Sequence, residues 1–253
     1  MASIPLTESA LTSLKKHLHA RYPEIRSSHL TEAIAAALGC KSHAALQIAL
    51  RGSQDNQQYV LLDDTTFDKR LQELGYPSHP EFRFESLNKG VPDLVSTAPP
   101  SASGIEYRTE RARAWRNMMV CAINEGIRQR LFTLHPDNYN WAPQNDKTSR
   151  KNGVVFHFNL PNGQPASGYV GDGGFSELLI HVAVNPTGKK WIQCHNAGFL
   201  AGDAFAGGWL ERERGSWLQW TPSQFSCRKP LLRSIANIEV HPHGFGDRGP
   251  FML

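Results

Sequence analysis

Ser28–Arg51 reads SHLTEAIAAALGCKSHAALQIALR, and this stretch predicts two helices joined by a tight turn. Apolar residues in its first half recur every three or four positions, as on one face of a helix: Leu30, Ile34, Ala37 and Leu38. Gly39 predicts the end of the first helix, because glycine adopts a positive φ angle without steric cost. Ser27 or Ser28 would cap the first helix, and Ser42 the second.

The predicted pair of helices has the pattern of a helix-turn-helix motif. Ala35 is small enough to let the helices cross closely, and Ile48 lies where the second helix needs a core anchor. The exposed start of that helix would then contact phosphates and base edges. The candidate residues are Lys41, Ser42, His43, Gln47 and Arg51. A helical hairpin that serves packing or binds another protein has the same pattern, so this alternative stays open.

The stretch SSHLTEAIAAALGCKSHAALQ also resembles a short helical module found in proteins of bacterial plasmids and integrative elements. Proteins with this module otherwise differ, and some are grouped loosely with the glyoxalase superfamily. The resemblance covers about residues 6–50. It implies a bacterial mobile-element setting and carries no catalytic residue over to this sequence.

The composition is that of an ordinary globular protein. The chain has 253 residues, of which 40% are hydrophobic and 20% charged, enough for one large or two modest domains. Its net charge of +4 is mildly basic, and it is smaller than the positive charge typical of proteins that coat nucleic acid. The sequence has no signal-peptide pattern and no apolar run that would span a membrane, so we expect a cytoplasmic protein without a membrane partner.

The front part of the chain predicts a mainly helical domain. Leu6–Arg21 predicts a first amphipathic helix capped by Thr7, which completes a three-helix unit. A strand over residues 59–62, a helix over 67–74 capped by Thr66, and a short strand around Phe82 and Phe84 would follow. Residues 88–104 are rich in Pro, Ser, Ala and Gly and predict a linker. It would separate domain 1–87 from domain 105–253.

The second predicted domain begins with a long amphipathic helix over Glu106–Leu134. Arginines are concentrated at its start: Arg108, Arg111, Arg113 and Arg116. Positive charge gains nothing from the positive end of a helix dipole, so this cluster indicates another role, such as contact with a phosphate backbone. Ion pairs with Glu106 and Glu110, or simple solvation, are the alternative.

Strand patterns follow from Val154 onward. They include a strand near residues 190–195 and a hairpin around Gly215, and they end at Ile235–Val240. Gly244–Gly249 predicts a flexible tail, from which Arg248 could contact nucleic acid. We therefore expect an α+β fold with a helix-turn-helix-like N-terminal unit and a long helix packed on an antiparallel sheet.

Chemistry-bearing residues in the second domain match no catalytic or metal signature. His157, His181 and His195 lie on predicted strands and are the candidates for acid–base catalysis. No GxSxG, HExxH or paired-carboxylate motif accompanies them, which favours a binding protein over an enzyme. The potential metal ligands are Cys194, His195, Cys227, His241 and His243. Their spacing is not that of a zinc site, so we expect neither a metal nor a cofactor.

Three functions are compatible with these patterns. The first is nucleic-acid binding, of DNA or RNA, by a regulatory protein of a bacterial mobile element. The second is an interaction or inhibitor module that binds an acidic protein in conflicts between mobile elements and hosts. The third is a metal-independent nuclease that uses the strand histidines.

Overall fold

A computed structural model describes residues 2–52, 59–87, 90–97, 105–136, 153–187, 198–213, 215–221 and 223–250. It confirms the predicted α+β class. The chain forms two compact units, Met1–Thr97 with His243–Phe245, and Ala98–Pro242 with Gly246–Leu253. None of the helices in the described ranges has the length and apolar composition needed to cross a membrane.

The first unit packs helices with a small antiparallel sheet. Its helices are α1 (Glu8–Arg21), α2 (Ser27–Ala37), α3 (His43–Gly52) and α4 (Asp64–Glu73). Its strands are β1 (Ala2–Pro5), β2 (Tyr59–Leu62) and β3 (Val95–Ser96), in the order β2-β1-β3. The strand β1 lies in the middle of this sheet although the sequence predicts no strand there.

Two of the predicted helix caps are confirmed, and two are wrong. Thr7 Oγ1 accepts the amide of Ala10 at 3.3 Å, and Ser42 Oγ accepts the amide of Ala45 at 3.3 Å, as predicted. The predicted serine cap of α2 is wrong, because Arg26 precedes the helix without a side-chain bond. The predicted Thr66 cap is also wrong, because Asp63, a stronger acceptor, caps α4 three residues earlier.

The turn between α2 and α3 forms as the glycine predicts. Gly39 has a φ angle of 76°. Its amide bonds to the carbonyl of Ala36, and the amide of Cys40 bonds to Ala35, which closes the helix end in a Schellman motif. Ile48 is not the core anchor that the sequence predicts, since its side chain is 71% exposed. Leu46 and Leu50 fill that role on α3.

The predicted strand at Phe82 and Phe84 is wrong. Phe84–Leu87 forms a 3₁₀ helix, and both phenylalanines are buried. Their rings pack against each other and against Phe67, with centroids 5.0–5.3 Å apart.

Residues 90–97 of the predicted linker are part of this unit, because β3 pairs with β1 and Leu94 is buried.

The second unit is a sheet with one long helix on a face. Its helices are α5 (Glu110–Arg128), α6 (Gly198–Ala201) and α7 (Lys229–Ala236). Its strands are β4 (Val154–Asn159), β5 (Pro165–Gly174), β6 (Glu177–Val184), β7 (Ala204–Glu211), β8 (Trp217–Trp220), β9 (Phe225–Cys227) and β10 (Gly246–Pro250). The order is β10-β8-β7-β6-β5-β4, and β9 pairs with β7.

The long helix packs on the apolar face of this sheet, as predicted. Thr109 caps α5, so the helix begins later than Glu106. The indole of Trp115 donates to the carbonyl of Gly207 at 2.9 Å. A Cβ atom at Gly208 would lie 3.2 Å from Trp115 and Met119, so this glycine permits the close approach of helix and strand.

The end of the chain differs from the sequence-based expectation. Ile235–Val240 is not a strand, because α7 occupies Lys229–Ala236. Gly244–Gly249 is not a tail either, because Gly246–Pro250 forms β10. This strand pairs with β8 in parallel, whereas the other described pairs of the sheet are antiparallel. The predicted strand at residues 190–195 lies outside the described residues.

Candidate anion-binding cleft

The candidate residues near α3 differ in what they present to solvent. Lys41 and Arg51 are exposed cations. Ser42 is used as the helix cap, whereas His43 and Gln47 lie 3.1 Å apart through their Nε2 atoms. His43 and Gln47 line a groove of about 310 Å³ between α1, α2 and α3. The solvent-facing surface of α3 and of the residues just before it therefore offers two positive charges.

The arginines near the start of α5 separate into distinct environments. Arg111 donates a hydrogen bond to the carbonyl of Phe225, and its guanidinium lies 4.8 Å from the centroid of that ring. This side chain is thus engaged with β9. The other three arginines, Arg108, Arg113 and Arg116, line one cleft of about 430 Å³. They lie at different depths in it.

The walls of the cleft come from four parts of the second unit. The segment before α5 and the first turns of that helix form one side. The end of α7 and the strand β10 form the other. The lining residues are Glu106, Tyr107, Arg108, Arg113, Arg116, Asn117, Ala236, Ile238, Asp247 and Arg248.

A largely buried ion pair holds the base of the cleft together. Arg116 donates from Nε and Nη2 to Oδ2 of Asp247, at 2.8 and 2.7 Å. Its remaining nitrogen donates to the Val240 carbonyl at 2.7 Å and to the Asn117 side chain at 2.9 Å. The Asn117 amide in turn contacts three carbonyls at the end of α7, at 2.9–3.2 Å. Arg116 is therefore a structural residue whose charge Asp247 neutralises.

Tyr107 fixes the backbone beside this pair. Its hydroxyl donates to the carbonyl of Asp247, and its ring stacks on Trp115 with centroids 6.3 Å apart. Burial, together with the negative charge of Asp247, raises the pKa of the Tyr107 phenol, which stays protonated at neutral pH. Asp247 is thus held at both its side chain and its backbone, which positions the next residue, Arg248.

The rim of the cleft carries an excess of positive charge. Arg113 donates to the carbonyl of Arg108 at 2.9 Å and makes no ion pair within the described part of the chain. Arg248 approaches Asp247 at 3.6 Å, but Arg116 already holds that carboxylate at 2.7 Å. The exposed Arg108 pairs with Glu106 at 2.6 Å. Among the described residues, the lining therefore has four guanidinium groups and two carboxylates, an excess of two positive charges.

His157 and His181, the candidate catalytic histidines within the described ranges, are not among the residues that line this cleft. Nδ1 of His157 on β4 lies 2.9 Å from the hydroxyl of Ser167 on β5. His181 on β6 is 1% exposed, and its ring lies between those of Tyr169 and Phe205 at 5.8 and 5.5 Å. His195 falls outside the described residues. The structure thus places His157 and His181 on strands that both pair with β5.

The potential metal ligands that the structure describes are Cys227, His241 and His243. Within the described ranges, no group of three His, Cys, Asp or Glu side chains is arranged to hold a metal ion. Burial raises the pKa of Cys227 to about 11, although Arg111 partly opposes this, so the thiol is protonated at neutral pH. Cys194 lies outside the described residues.

The sequence pattern indicated the arginines at the start of α5 and Glu106, the partner of Arg108, but not the partners of Arg116. Asp247 and Tyr107 carry no local signal, because their roles depend on β10 lying beside α5. No protein-family model matches the chain, and neither curated proteins nor solved structures include a match. The geometry of the cleft is thus the main guide to function.

Proposed function

We propose that the protein binds nucleic acid and that the cleft beside α5 holds a phosphate group. The observation that carries this proposal is the excess of two positive charges in the cleft lining. Guanidinium groups donate paired hydrogen bonds whose geometry fits phosphate oxygens. Arg113 and Arg248 face the cleft with donors that no strong carboxylate partner takes up.

The first unit offers a second contact of the same kind. Lys41 is exposed two residues before α3, and Arg51 is exposed near the end of that helix. Cations at such positions contact phosphates without reading base sequence. The resemblance of residues 6–50 to a module of plasmids and integrative elements supports a regulatory role in a bacterial mobile element. Such a protein would act in the cytoplasm.

Salt-dependent binding tests this proposal. We expect a labelled single-stranded oligonucleotide to bind at low salt, and the logarithm of the affinity to fall linearly with that of the salt concentration. Arg113→Ala and Arg248→Ala should each reduce the slope by about 0.7. Arg128→Ala is the matched control, because Arg128 is an exposed arginine on the same helix, far from the cleft lining, paired with Glu125. Failure to bind DNA or RNA at low salt would refute the proposal.

A protein partner is the second candidate, and one observation favours it. Ile48 is 71% exposed on α3, and the exposed cations Lys41 and Arg51 lie on either side of it in sequence. An apolar side chain with flanking positive charge suits an acidic protein better than a phosphate backbone. Ile48→Asp should abolish such an interaction and leave the binding of nucleic acid by the α5 cleft unchanged.

A further inference from the structure

We infer that the cleft binds a terminal phosphate monoester at a strand end, and not a phosphodiester within the strand. This inference rests on the proposed function, since it specifies which part of a nucleic acid the cleft receives. Four features of the cleft support it. They are its charge, its free hydrogen-bond donors, its size and, among the described lining residues, the absence of a surface on which bases stack.

The charge of the cleft matches a monoester. A phosphate monoester carries about −1.5 to −2 at neutral pH, with a second pKa near 6, whereas a diester carries a single negative charge. Asp247 neutralises Arg116, and Glu106 pairs with Arg108. Arg113 and Arg248 therefore leave two positive charges for a dianion.

The free donors also suit a terminal phosphate. Arg113 uses one of its nitrogens on the Arg108 carbonyl and keeps the others for a ligand. Arg248 has Nε 3.6 Å from Asp247, and its terminal nitrogens make no hydrogen bond to the described residues. A monoester presents three peripheral acceptor oxygens to these donors, whereas a diester presents two.

The cleft is small, and the part of it that the structure describes offers no surface on which bases stack. Its volume of about 430 Å³ lies in the range of small-ligand sites, and grooves that track single strands take roughly 4–16 nucleotides. Such grooves use exposed aromatic rings as stacking platforms. Among the described lining residues, the one aromatic residue is Tyr107, whose ring already packs on Trp115. Recognition in this cleft is therefore recognition of the phosphate.

The test compares strands that differ only at their ends. Three otherwise identical single strands carry a 5′-phosphate, a 3′-phosphate or hydroxyls at both ends, with the fluorophore at an internal position. We expect one phosphorylated strand to bind about tenfold more tightly than the hydroxyl strand at pH 7.5. This preference should shrink at pH 5.5, because the phosphate then carries about one negative charge.

Variants link the preference to the cleft. Arg113→Ala and Arg248→Ala should each remove the preference for the phosphorylated end, and Arg113→Lys should keep part of it because the charge remains without the planar fork. Arg128→Ala should retain the full preference. Circular dichroism and thermal melting show whether each variant is folded.

The outcomes separate this inference from the proposed function. Equal binding of all three strands, weakened by Arg113→Ala, would overturn the terminal-phosphate inference and leave nucleic-acid binding intact. Binding of none of the strands at low salt would overturn both. Displacement of the strand by inorganic phosphate at concentrations close to that of the protein would assign the cleft to free phosphate and overturn the strand end as its ligand.

Discussion

Arg116 on α5 and Asp247 on β10 form an ion pair across 131 residues of the chain, with Nε 2.8 Å and Nη2 2.7 Å from the same carboxylate oxygen. Their side chains are 15% and 18% exposed. The pair ties the long helix to the strand that ends the sheet, and it leaves Arg248 on the rim of the cleft. The stability of the second unit and the shape of the cleft thus depend on the same contact.

Breaking this ion pair should destabilise the folded protein. Arg116→Met is expected to lower the free energy of unfolding by about 3 kcal/mol, since it leaves a largely buried carboxylate without its main partner. The nearby Arg248 keeps the loss at the low end of the usual range. Urea unfolding measures the change. Arg128→Met is the control and should cost clearly less, because Arg128 is 70% exposed and the carboxylate of Glu125 keeps its hydrogen bond from Gln129.

Glu32 should stabilise α3 from outside that helix. Its carboxylate on α2 accepts the amide of His43 at 3.2 and 3.3 Å and lies at the positive end of α3. We expect Glu32→Ala to lower the free energy of unfolding by about 1 kcal/mol. Glu24→Ala removes an exposed carboxylate between α1 and α2 and should have almost no effect. An equal loss in both variants would contradict the capping role.

Asp68 should make the first unit sensitive to acid. Although burial alone would raise the pKa of Asp68, hydrogen bonds from the His79 amide at 2.6 Å, the Ser78 hydroxyl and the Gln72 amide lower it below 3.8. Because the folded value is lower than the unfolded one, the stabilisation is complete above the unfolded pKa and is lost as pH falls through the folded pKa.

Unfolding at several pH values checks this effect. Between pH 7 and pH 5 the contribution of Asp68 should be constant, and below the ordinary carboxyl value of 3.8 it should decline. Asp68→Ala should cost about 1–3 kcal/mol at neutral pH and much less at low pH. A loss of the same size at all pH values would exclude the ionised carboxylate as the cause.

Gly126 on α5 should not tolerate alanine. At an open helix position, a change from glycine to alanine would raise the free energy of unfolding by about 1 kcal/mol. Here the added Cβ would lie 2.4 Å from the ring of Phe132, which is 1% exposed. We expect Gly126→Ala to destabilise the protein by about 1–2 kcal/mol. In the background of Phe132→Leu, which makes room, the same substitution should cost less, and unfolding of the double variant measures the coupling.

Local patterns in the sequence predict the helices of the first unit well. The apolar spacing and Gly39 place α2 and α3 within a residue or two of their observed bounds. The strand β1 escapes prediction because four residues with little alternation become a strand only through pairing with β2 and β3. Apolar residues spaced as in a strand, such as Val240 after Ile238, led to the wrong assignment of residues 235–240 as a strand. Pro230 instead favours the helix start of α7.

The candidate site was predictable only in part, because its residues too are brought together by pairing between distant segments of the chain. The local density of arginines points to Arg113 and Arg116, and nothing local distinguishes their roles. The pairing of β10 with β8 brings Asp247 beside α5, and that contact turns Arg116 into a structural residue while Arg113 keeps free donors. Long-range pairing thus decides which cations face solvent.

The two sides of the cleft come from distant parts of the chain, with Arg113 on α5 and Arg248 on β10. The unfolded chain does not hold these residues together, so an anion that bridges them binds the native state alone. By thermodynamic linkage, a ligand at one hundred times its dissociation constant would then add about 2.7 kcal/mol to the stability of the folded state. A search for the natural ligand can therefore proceed by differential scanning fluorimetry, in which a rise in melting temperature reports occupancy of the cleft.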